Sequence, residues 1–83
     1  MIELTDVSDM SSDVLGYRFD PVRIDKRKRV RLGTLYVRYS TYALFAYARV
    51  PEPIFQRIVR SKSIGAAIHQ FVKNAGYSFQ RLA

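Results

Sequence analysis

The chain has no cysteine and no tryptophan, and its 83 residues include one histidine, His69. Without thiols there is no disulfide scaffold, thiolate metal site or thiol nucleophile. A single imidazole excludes a multi-histidine metal site. Acidic residues are scarce beyond position 25, where Glu52 stands alone, so a paired-carboxylate acid–base site has little to draw on. The apolar run Ala43 to Ala48 falls far short of the ~20 residues that a spanning helix requires. The opening Met1-Ile2-Glu3-Leu4-Thr5-Asp6 has neither the basic nor the apolar stretch of a signal peptide. The expectation is a cytoplasmic, non-catalytic protein without cofactor, metal or membrane span.

What the chain does hold is apolar matter and positive charge. Apolar residues make up 48% and aromatics 13%, enough for one compact core and too much for general disorder. Fourteen Lys and Arg against seven Asp and Glu leave +7. The charge is uneven: residues 1–25 carry −4 and residues 26–83 carry +11. A basic body behind a short acidic leader points to polyanions as partners, with solubility the bland alternative.

The pattern along the chain predicts an α+β domain spanning 1–83. Residues 1–13 form an acidic, Ser-rich lead-in, extended or frayed. Val14 to Phe19 alternates, with Leu15, Tyr17 and Phe19 on one face, as in a strand. Asp20-Pro21 interrupts it, because proline lacks the ladder N–H. Val22 to Leu32 predicts a projecting hairpin tipped by Asp25 to Lys28, with Asp25 suited to open a type I turn. Apolar parity changes at Gly33, from Val30 and Leu32 to Leu35, Val37 and Tyr39, as a β-bulge would make it do.

Ser40-Thr41-Tyr42 predicts a tight connection to a third strand, Ala43 to Val50. That strand sets Leu44, Ala46, Ala48 and Val50 on one face and Phe45, Tyr47 and Arg49 on the other. Pro51 and Glu52 suit the first turn of a helix whose stripe is Ile54, Phe55, Ile58 and Val59. A second helix follows Ser61-Lys62-Ser63, with Ile64, Ala67, Ile68, Phe71 and Val72 at helical spacing and Gly76 placed for a left-handed C-cap. Tyr77 to Leu82 alternates and suits a short last strand. The sum is an antiparallel meander of three to four strands with a long basic hairpin and two helices on one face.

Several stretches resemble one family: Ser11-Ser12-Asp13-Val14-Leu15-Gly16-Tyr17, Thr34-Leu35-Tyr36-Val37-Arg38-Tyr39, Phe45-Ala46-Tyr47-Ala48-Arg49-Val50-Pro51, and Ser63-Ile64-Gly65 opening a helix. In order and spacing they are similar to the KTSC domain, found at the C-terminus of some lysyl-tRNA synthetases and as small free-standing proteins of bacteria and phages. The likeness runs from about Val7 to Leu82. It implies a small RNA-binding domain. The family's tyrosine-x-tyrosine is Phe45-x-Tyr47 here, so the first phenolic hydroxyl is missing.

Candidate binding residues fall in three groups. Lys26, Arg27, Lys28, Arg29 and Arg31 place five bases within six residues, suited to tracking a phosphate backbone. The same cluster also suits an acidic protein, anionic lipid or a mere solvated loop. Tyr36, Arg38, Phe45, Tyr47 and Arg49 would form an aromatic and arginine sheet face able to stack bases if exposed, or a core if covered. Arg57, Arg60 and Lys62 extend the charge on the helical side. Ser61 to Gly65 could seat a phosphate, but an ordinary N-cap with Gly65 for close packing is the simpler reading. His69 is expected on the surface. The expected partner is nucleic acid, RNA before DNA. An acidic host protein bound by a phage-type inhibitor or adaptor is the alternative, and a free strand edge leaves homodimerisation open.

Overall fold

The computed structural model describes residues 2–9 and 11–83. Met1 and Met10, within the predicted lead-in, lie outside the described residues. Among the described residues five strands form one antiparallel sheet in chain order: β1 (Thr5–Asp6), β2 (Val14–Asp25), β3 (Val30–Tyr39), β4 (Leu44–Pro51) and β5 (Phe79–Arg81). Between β4 and β5 come α1 (Glu52–Arg60) and α2 (Ile64–Ile68), the latter running on into a π-helical segment, His69–Lys73. The class is α+β. The sheet has five strands rather than three or four. The extra one is β1, which pairs Thr5 with Tyr17 and Asp6 with Gly16. Two exposed polar residues carry no apolar alternation, so β1 is silent in sequence. What anchors it is Val7, 2% exposed in the core, whose N–H donates to the Leu15 carbonyl at 2.9 Å.

β3 is the spine. Its odd residues Leu35 and Val37 are fully buried beneath the helices, with Val14, Tyr47, Val50, Ile58, Ile64, Ala67, Ile68 and Val72. Each such Ile or Val contributes roughly 1.5–3 kcal/mol by leaving water. Phe19 and Tyr17 join from β2: Phe19 stacks on Phe55 at 4.8 Å and Tyr17 meets the same ring edge-on at 5.7 Å. The even residues of β3 point to the other face, which no helix covers. Of the predicted stripes, that of α2 is buried as expected except for a half-buried Phe71, whereas Val59 of α1 stays 37% exposed.

Register shifts set which residues share a face. The slip expected in β3 at Gly33 lies in its neighbours instead. β2 inserts Val22 between Pro21↔Gly33 and Arg23↔Leu32. β4 takes three steps from Tyr47 to Val50 while β3 takes two from Leu35 to Gly33. Arg49 absorbs that bulge at φ 57. Gly33 remains necessary for another reason: a Cβ there would sit 2.5 Å from the Asp20 carbonyl and 2.6 Å from the Phe19 ring. A third shift, between Val14 and Gly16, turns Leu15 away from Tyr17 and Phe19. Leu15 therefore borders a hollow beside Gly16 and Arg38, and Val14 takes the core place.

The termini of α1 and α2 follow their caps. Pro53 lies in the first turn of α1 with Glu52, and the Ser61 hydroxyl donates to the Ile58 carbonyl at its end. Ser63 caps α2, its hydroxyl accepting from the Ala66 N–H at 3.3 Å. Gly76 adopts φ 83 after the π-helical segment.

Candidate nucleic-acid interface

β2 and β3 remain paired out to Asp25↔Val30, and Lys26 to Arg29 form the turn beyond. Asp25 builds that turn. Its carboxylate accepts from the backbone N–H groups of Arg27 at 3.0 Å and Lys28 at 3.3 Å, an Asx arrangement that favours this residue at a turn's first position. Arg29 closes the turn in the left-handed region at φ 53. The acid is thereby bound to backbone, and the four basic side chains project into solvent.

Among the described residues two ion pairs form: Arg18 with Asp20 at 2.6 Å and Arg31 with Glu52 at 3.5 Å. Arg31 is thus tied to the first turn of α1, while Lys26, Arg27, Lys28 and Arg29 have no carboxylate partner among the described residues. The acidic leader does not reach them. It pairs at Gly16 and Tyr17, eight residues down β2 from Asp25, which at ~3.3 Å per residue is roughly 26 Å. That is about three Debye lengths at physiological salt.

The sheet face expected to unite Tyr36, Arg38, Phe45, Tyr47 and Arg49 is split by the register. Tyr36 lies opposite Ala46 and Arg38 opposite Leu44, whereas Val37 lies opposite Phe45 and Leu35 opposite Tyr47. Cross-strand partners share a face. Phe45 and Tyr47 therefore face the helices, and Tyr47 is 4% exposed, so it presents no stacking platform to the open side. The chain carried a signal for this: a three-residue link, Ser40 to Tyr42, sets Tyr39 against Ala43, and the Tyr39 N–H indeed donates to the Ala43 carbonyl at 2.9 Å.

The open face instead carries Tyr36 and Arg38 beside small Ala46 and Ala48. These alanines leave a shallow hollow between Tyr36 and Gln80, which adjoins a second one bounded by Arg23, Leu32, Thr34 and Arg49. Arg23 borders the basic turn as well. It belongs to this surface although it is not among the candidates expected from the sequence. Arg38 is held in place, its guanidinium donating to the Tyr42 carbonyl at 2.8 Å. Arg57 and Arg60 lie on the helical layer, and Lys62 in the link after it. Arg57 covers the Phe71 ring at 4.8 Å. They form a separate patch from the open face.

The Ser61 to Gly65 segment is an ordinary cap. A Cβ on Gly65 would stand 2.8 Å from the Ser11 hydroxyl oxygen, and the Asp13 carboxylate lies close by, a poor setting for a phosphate. His69 is exposed, as expected. It borders a cleft of about 560 Å³ shared by Asp13, Tyr39 to Thr41, Phe45, Tyr47, Lys73 and Phe79. Inside, the Tyr39 and Tyr47 hydroxyls hydrogen-bond at 2.6 Å. Burial, and then that bond, hold the Tyr39 phenol well above its ordinary value. No group of three or more metal-ligating side chains occurs among the described residues.

A family model of the KTSC domain matches residues 30–77, more than half of the chain. The chain belongs to the KTSC domain family. A search of curated proteins finds no match. The KTSC match starts at Val30, the first residue of β3, so the turn bases Lys26 to Arg29 lie outside it and Arg31, Arg38 and Arg49 within. Tyr39, Phe45, Tyr47, His69 and Lys73 of the cleft are also within the matched region. No helix among the described residues is long and apolar enough to cross a membrane.

Proposed function

We propose that this KTSC domain is a non-catalytic polyanion-binding module whose ligand is RNA. The observation that carries the reading is the turn Lys26 to Arg29: four bases side by side, free of ion pairs, with the nearby carboxylate of Asp25 turned onto backbone N–H groups. Such a turn neutralises consecutive phosphates and releases their counterions. Arg23, Arg49 and Arg38 continue the charge onto the open sheet, and Arg31, paired with Glu52, flanks the turn on the helix side. Tyr36 beside the hollow over Ala46 and Ala48 offers one ring to an unstacked base, a mode that single-stranded RNA favours.

Replacing Lys26, Arg27, Lys28 and Arg29 together by Gln tests this. Fluorescence anisotropy with a labelled single-stranded RNA should show affinity falling at least 30-fold at 50–100 mM salt, roughly what losing three or four phosphate contacts implies. Unchanged affinity would remove the turn from the interface. Exposed side chains at a turn carry little stability, so the variant should fold.

A second reading, an adaptor or inhibitor for an acidic protein, draws on Val22 and Ile24. They stand 69% and 63% exposed beside the bases, and protein interfaces favour apolar groups ringed by charge. It predicts a stoichiometric complex that survives nuclease treatment.

A further inference from the structure

The cleft at the other end of the sheet is a built feature apart from the basic turn. Its residues come from six places in the chain: Asp13, the end of β3, the β3–β4 turn, β4, the π-helical segment and β5. Phe45 is its aromatic hub, meeting the rings of Tyr39 at 5.6 Å and Phe79 at 5.7 Å, both edge-on. Phe79 is 64% exposed, an apolar ring left to water at the cleft's edge. Lys73 extends over the Tyr39 ring at 5.6 Å and His69 stands one turn before it. The paired hydroxyls of Tyr39 and Tyr47 hold two protons and use one between themselves, which leaves one O–H to donate. The volume, about 560 Å³, falls in the range of small-molecule sites. π-Helical segments occur disproportionately at such sites.

Ring faces, one ammonium group, one imidazole and a phenolic donor together suit a flat aromatic ring that carries an anion. Asp13 on the same wall disfavours a bare anion and accepts from an N–H on the ring's edge. We propose that this cleft binds a purine nucleotide with a 5′-phosphate, its base against Phe45 and Phe79 and its phosphate toward Lys73 and His69. The site rests on the RNA reading for the class of ligand only. It stands well away from the basic turn, on the helix-covered face, and shares Phe79 with the hollow beside Tyr36.

The test is a backbone amide NMR titration of the full chain with AMP, adenosine and inorganic phosphate in parallel. AMP should shift Tyr39 to Thr41, Phe45, His69 to Lys73 and Phe79 saturably, adenosine the same residues at least fivefold more weakly, and phosphate almost none of them. Lys73→Ala, at an exposed position, should weaken AMP at least fivefold and leave adenosine unchanged. The four-Gln turn variant should bind AMP as the parent does, so failure of the RNA interface and failure of the cleft are read separately. A 5′-phosphorylated tetranucleotide binding tighter than AMP assigns the end of a strand, and a weaker one assigns the free nucleotide. No shifts at the cleft, shifts confined to Lys26–Arg31, or phosphate equalling AMP would each overturn the proposal.

Discussion

Two glycines separate steric need from conformational need. Gly33 has ordinary backbone angles but no room: a Cβ would press on the Asp20 carbonyl and the Phe19 ring. Gly76 has room, with nothing within 4 Å, but a φ of 83. Gly33→Ala should therefore cost about 2–3 kcal/mol, the upper part of the overpacking range, since backbone rather than a flexible tip is struck. Gly76→Ala should cost about 1–2 kcal/mol through left-handed strain alone. Urea denaturation of both variants checks the order; equal losses would refute the distinction. Tyr39 supplies a second residue-scale expectation. Its phenol is held above the ordinary value of about 10, so the fold prefers the neutral form. The associated stability is whole below pH 10 and is lost as pH rises through the folded value. Ultraviolet titration should show Tyr39 ionising only as the chain unfolds in alkali. Tyr47→Phe should lower that onset part of the way, because burial is the larger cause and the hydrogen bond the smaller. A Tyr39 that titrates normally in the folded protein would contradict the packing.

At the scale of elements the bulges matter most. Arg49 turns β4 at φ 57, and so lets Tyr47 and Val50 both enter the core while Arg49 itself borders, with Arg23, the hollow on the open side. Arg49→Gly should leave stability unchanged or raise it by up to about 1 kcal/mol, whereas Arg49→Val should lower it by about 1–2 kcal/mol, because a β-branched residue resists the left-handed region. Both should weaken RNA binding alike. Denaturation midpoints and anisotropy on the same preparations separate the two effects, and parallel changes in both would contradict them. These bulges also mark where sequence reading stops. The α2 stripe from Ile64 to Val72 and the alternation of Leu35, Val37 and Tyr39 in β3 are local patterns, legible because each residue's place follows from its neighbours. Whether Leu15 shares a face with Tyr17 depends on a one-residue insertion that alternation alone does not reveal, whereas the separation of Phe45 from Tyr36 follows from the register that the Ser40 to Tyr42 link sets. The cleft was illegible for a related reason. Asp13, Phe45, Lys73 and Phe79 converge only after β4 pairs with β5 and the helices fold back.

For the molecule as a whole, charge is sorted along the sheet's length. The acidic leader pairs with β2 near one end, and the unpaired bases of Lys26 to Arg29 lie at the other, on a body 37 Å long. The net charge of +7 understates the field at the basic end, because the leader's negative charge lies several screening lengths away. The basic turn was legible as a run of residues; its freedom from the leader was not, since that rests on where β1 pairs. Steering toward a polyanion through this end should be strongly salt-dependent. The most direct test is the slope of log affinity against log salt for single-stranded RNA. With four phosphates neutralised by the turn, the slope of the four-Gln variant should be shallower than that of the parent chain by about 3. A slope that stays the same in both would show that the charge at the turn is not what holds the ligand.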